Sequence, residues 1–430
     1  MKKHFLLILF LCVVFSGCGA LTATNSEQDS TSKITDNSQI STVPIGDLSL
    51  INPMNGYGTT SDVGYYYIVT RSDGSKNIKY LDYATQQDVY LCSSPNCKHE
   101  DESCTAWLEN CGSYVTPMPV QNKLYLIYSG AGDANFEKHG TNSFSRIEVC
   151  DVNGQNRNVL FKMETASEWS GLMTDGYSLF ALQDSVTNNN GKVSTNKSLV
   201  QVSLQEGTHK VLHELDGLAC FIMSANAQQI YIKSIFPKQE NAVNSNEIVF
   251  KVQEYDLNKN ILEDVMEFDP LKSFVQIDNG FRYVVNAETL SVTKSGINGE
   301  NEVVITPCYD NTKDKITGIS IQGLVDGMLI INDIRNSNTD NGHDATTLVN
   351  VDTGLSCKYP ITYEMQGFSS RQNSLICATL PQQYLIETKM SQIEAKVDGF
   401  DLMVNIPNYA LIAKSDFMAS KENFLLFNSD

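Results

Sequence analysis

Apolar and polar positions alternate along this chain in short runs, and the runs recur with a period of about 50 residues. A Gly, Asn or Gln opens each of seven leading runs, at 64–68, 122–126, 176–180, 229–232, 280–284, 327–331 and 373–377. A second run follows, as in Ile147-Glu148-Val149-Cys150-Asp151-Val152-Asn153-Gly154, and often closes on an Asp shortly before a Gly. The tight turn there leads to a third run, as at 88–92, 158–162, 210–215, 302–305 and 358–362. A weaker run precedes the leading one, for example at 171–174, 219–224, 274–277 and 318–322. Runs this short, β-branched or aromatic and bounded by turn formers, are strands. Helical spacing is confined to the N-terminus.

Four antiparallel strands per repeat predict an all-β fold, a β-propeller of four-stranded blades. Two packed β-sandwiches would not produce the even spacing. After the last leading run, strand-like stretches at 401–406, 409–413 and 423–427 fall one strand short of a further blade, and residues 47–52 are able to supply it. A blade built from both ends removes an exposed sheet edge. The expectation is therefore eight blades closed by the N-terminal strand, with seven as the alternative.

The first residues change the picture of where this ring resides. Lys2 and Lys3 precede an apolar stretch at 5–15 that is too short to span a bilayer comfortably. Phe15-Ser16-Gly17-Cys18 resembles the bacterial lipoprotein signal, which implies cleavage before Cys18 and lipid attachment to it. Residues 1–17 are then a signal peptide. Residues 18–45, rich in Ser, Thr, Asn, Asp and Gln, form a disordered tether, and 46–430 form the propeller. The expected location is extracytoplasmic, anchored to the membrane by the N-terminal lipid. The formal charge of -19 argues against nucleic acid as a partner. A monomer is expected.

Four of the 11 cysteines crowd into Cys92-x4-Cys97-x-His99-x4-Cys104-x6-Cys111. Three thiolates and an imidazole match the ligand set of a structural zinc site. Outside the cell, the same cysteines equally match two disulfides, and free or redox-active thiols are a third reading. His99 discriminates, because disulfides give no reason for it. The stretch from Cys92 to Cys104, completed by Ala106, resembles an element of uncharacterised lipid-anchored lipoproteins of Gram-positive anaerobes. That resemblance takes in the lipid signal and the propeller and attaches no activity; an anaerobic habitat would favour metal over disulfide. Cys150, Cys220, Cys308, Cys357 and Cys377 stand singly in or beside apolar strands and read as small buried hydrophobes.

Strand parity sorts the loops. In a four-stranded antiparallel blade, the connection from second to third strand and the connection to the next blade emerge on one face. The polar stretches 129–145, 183–197, 234–247 and 333–346 and the cysteine cluster then share that face, while short turns such as Asn153-Gly154 and Thr353-Gly354 occupy the other. Loops lengthened on one side of a repeat scaffold mark a binding surface. Its candidate groups are Asp133, Glu137, His139, Asp184, Glu240, Arg335, Asp340, His343 and Asp344. The Asp340-Asn341-Gly342-His343-Asp344 stretch has cation-binding groups but lacks the ordered acidic ladder of a calcium loop. No nucleophile elbow, zinc-protease, phosphate-loop or dinucleotide motif is present. The expected role is a binding or assembly module for a glycan, peptide or envelope protein. The alternatives are a surface glycan hydrolase or lyase with paired carboxylates, and a purely structural envelope scaffold.

Overall fold

The computed structural model describes residues 46–51, 58–130, 138–189, 192–239, 247–289, 291–305, 316–335, 343–364, 371–397 and 400–429. The expected signal peptide, Cys18, the tether, Cys308 and Asp340 lie outside the described residues. So do Asp133, Glu137 and Glu240.

The chain folds as an all-β propeller, and seven four-stranded antiparallel sheets are described. Their innermost strands are Gly58–Thr60, Val115–Val120, Ser167–Thr174, Ala219–Asn226, Ser273–Asp278, Ile316–Val325 and Ile376–Thr379. Each leads outward to its second, third and fourth strands in chain order. Blade 2 shows why the alternation becomes a blade. Leu124 pairs with Cys150 and Leu126 with Glu148 on adjacent strands, and Leu124, Leu126 and Cys150 are buried in the core between blades 1 and 2. Ile127 and Ile147, on the opposite face of the same sheet, pack with Trp169 and Leu179 of blade 3. Both faces of a blade are thus covered by its neighbours, and each apolar run is consumed twice.

Seven blades, rather than the favoured eight, follow from the C-terminal sequence. Residues 401–406 and 409–413, read as two strands, belong to one strand, Phe400–Ala413, paired along its length with Gln383–Val397. This single long hairpin occupies the sequence length that an additional blade would need. The repeat at 373–377 is also one strand out of phase, since Ile376–Thr379 is the innermost strand of blade 7. The N-terminal strand Ser49–Leu50 does not close the ring. It pairs with Thr174 and Met173 at the end of the innermost strand of blade 3.

Closure comes instead from the C-terminus and from side chains between blades 7 and 1. Asn428–Ser429 adds in parallel to the outer strand Gln87–Tyr90 of blade 1, and the Ser429 hydroxyl donates to Asp88 Oδ2 at 3.0 Å. The Lys396 amide of the blade 7 hairpin donates to the Ser72 carbonyl of blade 1 at 2.6 Å. Beneath them Tyr409 packs edge-on against Tyr65 and Tyr67, at centroid distances of 5.4 and 5.0 Å.

The second-to-third connections follow the expected parity, but the cysteine segment does not keep to one face. The His99 carbonyl accepts from Arg71 at the loop end of blade 1, while Ser93 and Trp107 meet Gln155 and Arg157 beside the short Asn153-Gly154 turn of blade 2. The segment therefore runs along the outer flank between the two blades. The stretch 183–197 is not a loop, however, because Ser178–Asn189 and Lys192–Ser203 stay in register out to Asn189 and Lys192. The helical content described is small, with a 3-10 turn at Gly140–Ser143 and a short helix Lys414–Met418 whose Phe417 is buried.

Blade 7 also buries a carboxyl group. Glu387 is 2% exposed; it accepts a hydrogen bond from the Tyr363 hydroxyl at 2.7 Å through Oε1, and its Oε2 has no partner. Burial raises its pKa, against the lowering effect of Tyr363. A raised folded-state carboxyl favours the fold while it is protonated and loses that contribution as pH rises through its folded pKa. Glu387→Gln keeps an acceptor for Tyr363 and removes the ionisation. Chemical denaturation should show the variant more stable than the parent at neutral pH, with the difference vanishing below the ordinary carboxyl range.

Candidate functional site

The long connection between blades 1 and 2 begins at Leu91, just after the outer strand of blade 1, and returns to the same blade. Trp107–Leu108 pairs with Asn77 and Lys76 at the start of the third strand, and the Ile78 amide donates to the Ala106 carbonyl at 2.8 Å. Within that anchored loop, Cys92, Cys97, His99 and Cys104 converge, with their ligand atoms all within 4.8 Å of one another. A tetrahedral ion bonded to sulfur at about 2.3 Å keeps its ligand atoms about 3.8 Å apart, so the cluster has the right size for one ion. Positive φ angles of 57° at both Asn96 and His99 wind the chain tightly enough to bring the residues together.

Each sulfur has a backbone amide directed at it. The Ser94 amide faces Cys92, the His99 amide donates to Cys97 Sγ at 3.4 Å, and the Ala106 amide faces Cys104. Such N–H donors stabilise thiolates and orient them as ligands. They also explain Ala106, which is fully buried and leaves no room for a larger side chain beside the sulfur. Burial works against ionisation of Cys92, but the Ser94 amide and the hydrogen bonds from Cys104, Thr105 and Cys97 prevail and lower its pKa. Burial raises that of Cys104.

His99 is held on three sides. Its Nδ1 lies 3.1 Å from Cys104 Sγ, its ring stacks on Tyr90 at 4.2 Å, and its carbonyl accepts from Arg71 at 3.1 Å and from Asn77 at 3.0 Å. Burial, then the positive charges of Arg71 and Lys79, lower its pKa and favour the neutral, ligating form. The donor set fits a four-coordinate soft-ligand metal centre. No disulfide joins the described cysteines, all eight of which are free thiols, so the two-disulfide expectation is corrected. Cys111 lies outside the four and is buried in the core between blades 1 and 2. Of the single cysteines described, Cys150 and Cys377 are buried as expected, whereas Cys220 and Cys357 are only partly so.

A second feature has no signal in the local motifs. A cup of about 760 Å³ lies on the axis side of blades 2 to 6, lined mainly by their innermost strands. These strands start at the loop-rich face, where Ser167 pairs with Ser185, and end at the short turns, where Thr174 pairs with Leu179. The strand Ser49–Leu50 attaches at the turn end, and the Leu48 amide crosses to the Ala227 carbonyl of blade 4 at 3.0 Å. Ser49, Leu50 and Ile51 line the cup beside blades 3 and 4. Register shifts interrupt the innermost strands of blades 3, 4 and 6 at Ser170/Met173, Ile222/Ser224 and Ile321/Gly323. Bulges at these points re-aim main chain and side chains toward the axis. Gly171, at φ +58°, is required there because a Cβ would lie 2.4 Å from Ile222 of blade 4.

The expected binding-face residues are scattered. His139 precedes the 3-10 turn of blade 2. Asp184 is exposed on the blade 3 hairpin, 3.9 Å from Lys197. Arg335 pairs with His343, and Ile334 with Asp344, at the end of the blade 6 hairpin. His139 and Asp184 are not among the residues that line the cup.

No protein-family model matches the sequence, and no curated protein matches it. Solved structures match in fold. A puromycin-hydrolysing peptidase from Mycobacterium tuberculosis aligns with a TM-score of 0.51 and 11% identity, over 88% of this chain and 56% of that one. The chain thus spans little more than half of that protein. The β-propeller domain of the Trilobed protease from Pyrococcus furiosus aligns at 0.42 and 9%, over 86% and 95%. An ulvan lyase of the PL25 family aligns at 0.45 and 9%, over 90% and 100%. At these identities the likeness is one of fold alone.

Proposed function

We propose that this protein is a lipid-anchored extracytoplasmic binding module that receives its ligand, a glycan or peptide, in the axial cup. The observation that carries this reading is the cup itself, a concave space of ligand size walled by the innermost strands of several blades and lined beside blade 3 by the N-terminal strand. A hydrolase or lyase of the two-carboxylate type would need a pair of acidic groups about 5 to 9.5 Å apart. Asp278 is the one carboxylate among the described lining residues, which favours binding over that chemistry.

In this reading Cys92, Cys97, His99 and Cys104 hold a structural zinc ion. The ion would fix a loop that leaves blade 1 at Leu91, runs along the flank of blade 2 beside Gln155 and Arg157 and returns at Trp107, a span without enough apolar side chains to order itself. Soft thiolate ligands and full protein coordination suit zinc in a structural role and leave no open position for substrate. Lipid attachment at Cys18 would hold the ring outside the membrane on the 18–45 tether.

Three outcomes test these statements. Elemental analysis of the purified protein should give about one zinc per chain, and His99→Ala should lose it together with several degrees of thermal midpoint. Cys18→Ala should move the protein from the membrane fraction to the soluble exported fraction; unchanged fractionation would remove the anchor. Ser170 is exposed within the cup, so Ser170→Trp should fill it without disturbing the core. Glycan and peptide arrays should then lose their signal by about tenfold or more, and an undiminished signal would place the ligand elsewhere.

A further inference from the structure

The cup holds a lysine with no ion-pair partner among the described residues, although one carboxylate, Asp278, also lines the cup. The chain carries 50 acidic residues against 31 basic ones, and its lysines readily find carboxylates, as Lys79, Lys123, Lys251 and Lys294 do at 2.6 to 2.8 Å. Lys233, which lines the cup, belongs to no ion pair and no side-chain hydrogen bond among the described residues. Its ammonium lies instead against two aromatic rings, 5.3 Å from the centroid of Phe221 and 5.5 Å from that of Phe250. Ring faces attract a cation without cancelling its charge. Burial lowers the pKa of this lysine with no compensating anion. A half-buried, unpaired ammonium costs stability unless an anion arrives.

The rest of the wall narrows the anion. Thr116, Ser170, Gln276, Ser320 and Gln322, from blades 2, 3, 5 and 6, contribute neutral hydroxyl and amide groups. Ser224, on the bulged strand of blade 4, has a buried hydroxyl with no hydrogen-bond partner and also lines the cup. Phe221, beside Lys233, is 48% exposed and offers a ring face at the loop-rich end. Asp278, the one carboxylate of the described wall, sits at the turn end of Ser273–Asp278, whereas Phe221 pairs with Lys233 near the opposite end of the blade 4 strands. One cation, several neutral hydrogen-bonding groups and an open aromatic face there complement a ligand with a single carboxylate per unit, several hydroxyls and an apolar C–H face. Acidic peptides carry fewer hydroxyls and would leave most of these neutral groups unmatched.

We propose that the cup binds an acidic sugar or a short chain of acidic sugars, with a uronate carboxylate on the Lys233 ammonium and the pyranose face against Phe221. This rests on the reading of the cup as the ligand site and specifies its ligand class. The test is calorimetric titration of the full chain with trigalacturonic acid and with an oligomer of glucuronic acid, each beside its fully methyl-esterified form. An ester keeps the ring and its hydroxyls and removes the charge. At least one acid should bind about 10- to 100-fold more tightly than its ester, the range expected of a charge-assisted hydrogen bond. Lys233→Met should bring the acid to the affinity of the ester, Lys233→Arg should retain most of the difference, and zinc content with the circular dichroism spectrum should verify that both variants fold.

Equal affinities for acid and ester, no saturable binding of either acid, or an acid unaffected by Lys233→Met would each overturn the proposal. The cup would remain the ligand site if Ser170→Trp still removed the array signal of another ligand. Acid binding that depends on Lys233 and is lost in Ser170→Trp supports both statements. Acid binding of equal strength in Ser170→Trp and the parent would overturn both.

Discussion

A ring of sheets is stable only if its last blade covers its first. Every other blade of this protein has two neighbours made by the same continuous chain, and the seam between blades 7 and 1 has to be made by residues more than 300 positions apart, as with Tyr65 and Tyr409. Burial of these tyrosines, the added strand Asn428–Ser429 and the hydrogen bond from Lys396 to Ser72 together close it. The buried apolar area of such a seam outweighs any single polar contact across it. Closure in turn frees the N-terminal strand from the role of sealing the ring. Ser49–Leu50 instead lines the central cup beside the innermost strand of blade 3.

The two candidate sites depend on that arrangement in different ways. The Cys/His centre is local: its ligands come from 13 consecutive residues, Cys92 to Cys104, and its orientation comes from blade 1 through Arg71, Asn77 and Tyr90. The cup is global, since its wall takes one strand from each of several blades. The parity of the repeat sends the second-to-third connections to one end of the ring and short turns to the other, while the Cys/His loop runs along the outer flank between blades 1 and 2. The blade 7 hairpin adds to the end with the second-to-third connections and leans across the seam onto the 71–75 loop, where Lys396 meets Ser72.

Much of this was legible along the chain. Strand type, blade register and the sidedness of the loops follow from alternation with period two and from Asn-Gly and Thr-Gly turns, because both are enforced by local backbone geometry. The ligand set Cys92, Cys97, His99 and Cys104 was legible for the same reason, being close in sequence. Ala106 also belonged to the motif, and its buried position with its amide directed at Cys104 gives the physical cause. Blade number was not legible, because a 15- and 14-residue hairpin resembles two shorter strand pairs until its partner strand is known. Lys233, Ser224 and Phe221 could not be singled out either: within Phe221-Ile222-Met223-Ser224 nothing marks a bulge, and nothing local shows that Lys233 lacks a carboxylate. The candidate binding-face residues share only a residue type and a place near the tips of long connections, whereas the cup wall comes from the innermost strands of several blades.

Hydrogen-exchange mass spectrometry of the full chain, with and without a saturating ligand taken from the arrays, tests the central claim most directly, since the free inner edges of the innermost strands report on occupation of the cup. The account predicts new protection in Ser167–Thr174, Ala219–Asn226 and Ser273–Asp278 and none at the short turns around Asn153-Gly154, Asn298-Gly299 and Thr353-Gly354. Protection confined to those turns, with the innermost strands unchanged, would contradict it.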